Sequence, residues 1–239
     1  MRPSHRVLTA TALFTLTACT SETAQKTADS VAAPTALEIA NVRRLLLYNE
    51  YAEAFTITLE PGQSLAPHEG AARVVHSLSD YQLRETQGGE RRDSSWHTGD
   101  VHSHAAGVHG IENIGTTPAQ LLIVARRPAA LPAAPLGAPS ATVPTEKAES
   151  GIMKMKLDDD GFRVSEVSLA VGATLPRHPG LARVVYSLSD YTIRYAADGA
   201  EPKEMSFRAG EAHWHDADQH VITNIGTTEA LFLIVQFKR

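Results

Sequence analysis

The segment Ala72-Arg73-Val74-Val75-His76-Ser77-Leu78-Ser79-Asp80-Tyr81 returns 110 residues later as Ala182-Arg183-Val184-Val185-Tyr186-Ser187-Leu188-Ser189-Asp190-Tyr191. Working outward, Glu60 to Arg84 matches Ala170 to Arg194 at 14 of 25 positions. After one extra residue in the second copy, Gly99 to Val124 matches Gly210 to Val235 at 15 of 26. Identity at this density over both stretches is an internal duplication, and it takes precedence over any assignment of single elements. The 239 residues therefore divide into two domains, 36–127 and 151–239. Between them, the Pro/Ala/Ser/Thr-rich stretch 128–150 reads as a semi-extended linker.

Each copy is written in short strands. Phe55 to Leu59 and Val164 to Leu169 alternate in strand fashion, and each leads into a turn, at Pro61-Gly62 or Val171-Gly172. Arg73 to Leu78, Tyr81 to Thr86, Asp100 to His104, Gly110 to Asn113 and Gln120 to Ala125 continue the series. Recurrence every 8–12 residues or so, with no sustained helical stripe, predicts an all-β fold. Six to eight strands per copy are expected, curled into a small barrel that leaves few edges exposed.

Composition narrows the function classes. With 43% hydrophobic and 21% charged residues, the chain is neither wholly disordered nor a multi-span membrane protein. Its net charge is −5, and −7 once Arg2 and Arg6 leave with residues 1–18 (20 Lys+Arg against 27 Asp+Glu). That balance argues against nucleic acid as a partner. A single cysteine excludes an internal disulfide framework and a cysteine-cluster zinc site. It ends Leu16-Thr17-Ala18-Cys19, after two arginines and an uncharged run, Val7 to Thr17, too short to span a bilayer. This ending resembles the lipobox of bacterial lipoproteins. The resemblance implies a leader over 1–18, a lipid on Cys19 and a flexible tether over 19–35. Thr20, where aspartate would mark inner-membrane retention, points to the outer membrane and a periplasm-facing chain.

Pro61-Gly62 to His68 and Gly99-Asp100 to Asn113 resemble the two sequence motifs of the cupin superfamily, and Val171-Gly172 to His178 and Gly210 to Asn224 repeat both. The chain is thus similar to a bicupin, which implies two tandem double-stranded β-helix (jelly-roll) barrels. Cupins with a full metal site carry His-x-His and a nearby glutamate in the first motif. Here Gly70 and Gly180 stand in the second histidine's place, and the glutamate's place falls at about Arg73 and Arg183.

Two chemistries remain open at this stage. Residues two apart on a strand share a face, so His102 and His104 project together, as do His213 and His215. If that face is the lumen, His68, His104 and His109 in one barrel, and His178, His215 and His220 in the other, could hold one divalent ion (Zn, Fe, Mn, Ni or Cu) per barrel. Alternatively, Arg73 and Arg183 point inward beside His102 and His213 and make an anion pocket. Pointing outward, each arginine would instead pair with a surface acid such as Asp80 or Asp190. His76 and His97 have no histidine counterpart in the second copy and are expected at the surface. Ser79-Asp80, Ser189-Asp190, Asn113, Asn224 and Asp158 to Gly161 read as turn formers. Trp96 and Trp214 read as core packing or a pocket wall. The resulting function classes are a metal-assisted oxygenase or isomerase, a small-anion binding module, and a scaffold whose barrels pack on each other or form a homodimer through their sheets.

Overall fold

The computed structural model describes residues 42–131 and 151–238. The leader, the tether and residues 132–150 of the linker lie outside the described residues. Each copy folds into nine strands. The first copy comprises β1 (Arg43–Tyr48), β2 (Ala52–Leu59), β3 (Ser64–Gly70), β4 (Arg73–Ser77), β5 (Tyr81–Gln87), β6 (Glu90–Trp96), β7 (Val101–His104), β8 (Gly107–Asn113) and β9 (Ala119–Arg126). The second comprises β10 (Gly151–Asp158), β11 (Phe162–Leu169), β12 (Thr174–Gly180), β13 (Arg183–Ser187), β14 (Tyr191–Ala197), β15 (Lys203–Phe207), β16 (Ala212–His215), β17 (Asp218–Asn224) and β18 (Ala230–Phe237).

Nine strands exceed the expected six to eight because some carry no apolar alternation. β6 reads Glu-Arg-Arg-Asp-Ser-Ser-Trp and is mostly exposed. It is held by its ladder to β5 and by the Arg84 fork on Asp93, at 2.8 and 2.9 Å. The glycine turns lie where the sequence placed them: Gly62 and Gly172 sit at φ +78° and +77°, in the left-handed region that disfavours other residues.

Each barrel is a pair of antiparallel sheets, β1-β2-β9-β4-β7 facing β3-β8-β5-β6 in the first and β10-β11-β18-β13-β16 facing β12-β17-β14-β15 in the second. The inner faces form separate cores, with Leu59, Leu65, Val75, Leu83 and Leu121 in one and Val167, Leu169, Val185, Ile193 and Phe232 in the other. Each such side chain contributes about 1.5–3 kcal/mol on burial.

The outer faces of the two five-stranded sheets are not solvated. Val74, Leu122 and Val124 form one continuous core with Val164, Val184, Leu233, Val235 and Phe237. This explains the unbroken apolar runs of β9 and β18, which are buried on both sides as in a covered sheet rather than on one. Tyr51 stacks on Trp214 at 5.2 Å and Arg126 Nη1 donates to the Lys238 carbonyl at 3.0 Å, extending the same interface. His76 belongs here too and is a correction to its expected surface position. It is 3% exposed, because β4 lies inside a sheet whose back is covered by the other barrel. His97 is exposed, as expected. The sheet faces invoked for a homodimer are, for the five-stranded sheets, paired within one chain.

Candidate functional site

Register settles where the arginines point. β4 pairs with β7 so that Arg73 lies opposite His104 and Val75 opposite His102. Opposed residues of an antiparallel pair share a face, and Val75 belongs to the inner core of the first barrel. Arg73, His102 and His104 therefore enter the lumen together. Arg183, His213 and His215 do the same in the second barrel, where Arg183 faces His215 and Val185 faces His213. Both arginines are buried, at 7% and 3% exposure.

The glycines of the first motif make this possible. A Cβ on Gly70 would stand 2.8 Å from Arg73 Nη1 and 2.5 Å from His109 Cε1. A Cβ on Gly180 would likewise collide with the Arg183 guanidinium and with His220. The space a motif histidine would occupy is thus filled by a guanidinium. Beside it, His68 and His109 face each other with ring centroids 4.4 Å apart, and His178 and His220 do so at 4.3 Å. The His68 Nδ1–H donates to the Ala66 carbonyl at 2.9 Å, which leaves its Nε2 lone pair free to accept.

The barrels differ in how the guanidinium is satisfied. Arg183 donates to the carbonyls of Leu181 and Asp216, to the Tyr195 hydroxyl at 2.9 Å and to Asp218 Oδ1 at 3.2 Å. Asp218 also accepts from Tyr195 and, at 2.9 Å, from His220 Nδ1. Burial alone would raise the Asp218 pKa. The bonds from His220 and Tyr195 and the Arg183 charge hold it far below the ordinary carboxylate range. Little space is left: the cavity at Arg183 measures about 30 Å³, room for one water. In the first barrel the position of Asp218 is Gly107, and that of Tyr195 is Glu85. Arg73 donates only to the Ala71 carbonyl, at 3.2 Å, and among the described residues no carboxylate forms an ion pair with it. The cavity lined by Arg73, His68 and His109 measures about 220 Å³.

No protein-family profile matches the chain, nor does any curated protein. Solved structures do. An oxalate decarboxylase of Bacillus subtilis with Mn(II) centres is 14% identical, with 83% of this chain and 76% of that one covered and a TM-score of 0.61. The same enzyme solved at pH 4.6 is 14% identical over 83% and 75%, with a TM-score of 0.60. A cupin 2 conserved barrel domain protein from Leptotrichia buccalis is 15% identical over 82% and 88%, at 0.49. The fold is that of a double cupin.

The metal reading of the cupin motifs needs His68, His104 and His109 around one ion. The structure brings His68 to His109 but sets His104 against His102 and Glu85. In the second cupin barrel His178 meets His220, whereas His215 meets His213 and Tyr195. A permanent guanidinium cation stands in each motif pocket and opposes a dication there. Arg73 itself helps depress His104 and His109, after burial, and both are pushed down to about 4, leaving neutral imidazoles.

Three residues lining these lumens were not anticipated from the sequence: Glu85, Tyr195 and Asp218. The first two were recoverable, since they continue the buried series Tyr81, Leu83 and Tyr191, Ile193 at period two. The turn formers behave as read. Asn113 Nδ2 donates to the Leu59 and Thr117 carbonyls, Asn224 repeats this with Leu169 and Thr228, and Asp80 accepts from Thr98. Trp96 is a pocket wall stacked on His102 at 3.8 Å, and Trp214 packs at the inter-barrel core.

Proposed function

We propose that the first barrel captures a small carboxylate-bearing molecule and presents no comparable site in the second, the whole being held at the periplasmic face of the outer membrane by a lipid on Cys19. The observation that carries this reading is the unequal fate of two equivalent arginines. Arg183 already holds a carboxylate, that of Asp218, while Arg73 faces a cavity where Gly107 supplies none and has Glu85 only at a distance, without an ion pair. A buried guanidinium is costly without a counter-charge in contact with it, and its fork matches a carboxylate from outside the chain. The free Nε2 of His68 would accept from a hydroxyl or protonated oxygen of the same molecule.

The test is a calorimetric and melting survey of formate, acetate, oxalate, malonate, succinate and phosphate. A ligand at 100 times its dissociation constant adds about 2.7 kcal/mol, or roughly 5–10 °C. At least one carboxylate is expected to give such a shift, and Arg73→Gln to remove it. Absence of any shift, or a shift indifferent to Arg73→Gln, sinks the reading. For the anchor, fatty-acid labelling in cells should mark the native chain and not Cys19→Ser, which should also leave the membrane fraction. An unlabelled native chain would refute it.

A further inference from the structure

The side of the first barrel between β6 and β7 holds a second constellation, next to the motif pocket and sharing the neighbourhood of Arg73 with it. Among the described residues, Glu85, His102 and His104 are the one group of three potential ligands whose donor atoms all lie within 4.8 Å of one another. They come from opposite walls, Glu85 from β5 and the histidines from the edge strand β7, so the two sheets hold them in place from both sides. We propose that this trio binds one first-row divalent transition metal, of the zinc or iron(II) class, and that the second barrel binds none.

Several observations converge on the trio. His104 Nε2 and Glu85 Oε1 are 3.7 Å apart, beyond hydrogen-bond reach, so the two groups face each other without bonding directly. Metal–ligand bonds of about 2.0–2.2 Å put two donors of one ion roughly 3.0–3.5 Å apart, a few tenths of an ångström closer than His104 and Glu85, while the other donor pairs of the trio lie within 4.8 Å. His102 Nδ1 is buried with no hydrogen-bond partner, as is its counterpart His213 Nδ1, and only the first barrel adds a carboxylate beside the histidine pair within 4.8 Å. Trp96 stacks on His102 with an interplanar angle of 16° and fixes the ring, the kind of outer support that metal ligands require. Two neutral imidazoles and one carboxylate are the donor set of open zinc and non-haem iron sites. The opening is present as well: Glu85, Trp96, His102 and His104 line a cavity of about 520 Å³, which leaves room for water or an anion at the remaining coordination positions.

The second barrel is the built-in control. It keeps both histidines, His213 and His215, and stacks Phe207 on His213 as Trp96 stacks on His102. In place of Glu85 it has Tyr195, whose hydroxyl is already engaged by Arg183 and Asp218. The trio lacks its anionic member there, since the Asp218 carboxylate is taken up by Arg183, Tyr195 and His220. The charged groups facing the trio in the first barrel are Arg73, Asp100 beside β7, and Arg92 and Glu90 on β6. Arg73 opposes a dication, so removing it should strengthen metal binding while abolishing the carboxylate capture proposed above. The two proposals therefore fail separately.

The experiment is metal content by elemental mass spectrometry on the full-length chain, purified in detergent without added affinity histidines, together with titration of zinc, iron(II), nickel and copper followed by tryptophan fluorescence in the Trp214→Phe background, where Trp96 alone emits. One equivalent per chain is expected. Glu85→Tyr, which copies the second barrel, should weaken binding by ~10-fold or more. His102→Ala should do the same, His213→Ala should leave the content unchanged, and Arg73→Gln should raise the affinity. Two equivalents, a content lost in His109→Ala but kept in Glu85→Tyr, or less than a tenth of an equivalent with no fluorescence response to any added metal would each overturn the proposal.

Discussion

Asp218→Ala lowers the melting temperature by roughly 6–12 °C, and formate restores part of the loss. The substitution strands Arg183, at 3% exposure, without its counter-charge. Breaking a buried ion pair from one side costs about 3–5 kcal/mol. The lower end applies, because the Leu181 and Asp216 carbonyls and the Tyr195 hydroxyl still accept from the guanidinium. The truncated carboxylate also leaves a void of its own shape next to a positive charge. The second barrel then presents the arrangement proposed for the first, and a carboxylate from solution can enter. Differential scanning calorimetry in formate and in chloride at matched ionic strength checks both halves of the statement. A loss below about 1 kcal/mol, or equal melting in the two salts, would show that Asp218 does not act as an internal ligand.

Acid unfolds the metal-free protein well before its carboxylates are neutralised. Burial, with Lys156 adding to it, pushes His76 down to about 4. Burial likewise takes His178 and His213 to about 4 and His215 to about 3, with His220 or Arg183 reinforcing it. In the unfolded chain these groups titrate near 6.5. Their folded values lie below the unfolded ones, so from about pH 6.5 down to 4 the unfolded chain binds more protons. Stability is full above that window, falls through it and levels off below the folded values. Each histidine contributes up to about 1.4 kcal/mol per pH unit, so the four together remove up to about 5–6 kcal/mol per unit. Melting temperatures at about pH 7, 6 and 5 should descend steeply, and a flat profile across that range would mean that the imidazoles are solvated rather than buried.

The fold was legible because the duplication repeats every turn and every alternating strand twice, so Phe55 to Leu59 and Val164 to Leu169 support each other's assignment. What alternation cannot reveal is a polar strand such as β6, fixed by its ladder and by Arg84 on Asp93. The sequence placed the lumen histidines on the correct strands but left the side of Arg73 open. A shift of register flips a strand, and bulges do occur, between Leu65 and His68 for example. Only the pairing of Arg73 with His104 beside a core Val75 decides it. Asp218 was hidden for another reason. It stands where the copies differ, opposite Gly107, and a search for shared residues passes over such positions although they separate the two barrels chemically.

The continuous core between the five-stranded sheets makes each barrel a wall of the other. Either half alone would expose a β-sheet back bearing Val74, Leu122 and Val124, or Val184, Val235 and Phe237, a surface prone to aggregation. A change in one lumen leaves that shared wall intact, whereas a change at the wall strikes both barrels at once, so the two interiors can differ chemically while the backs must match.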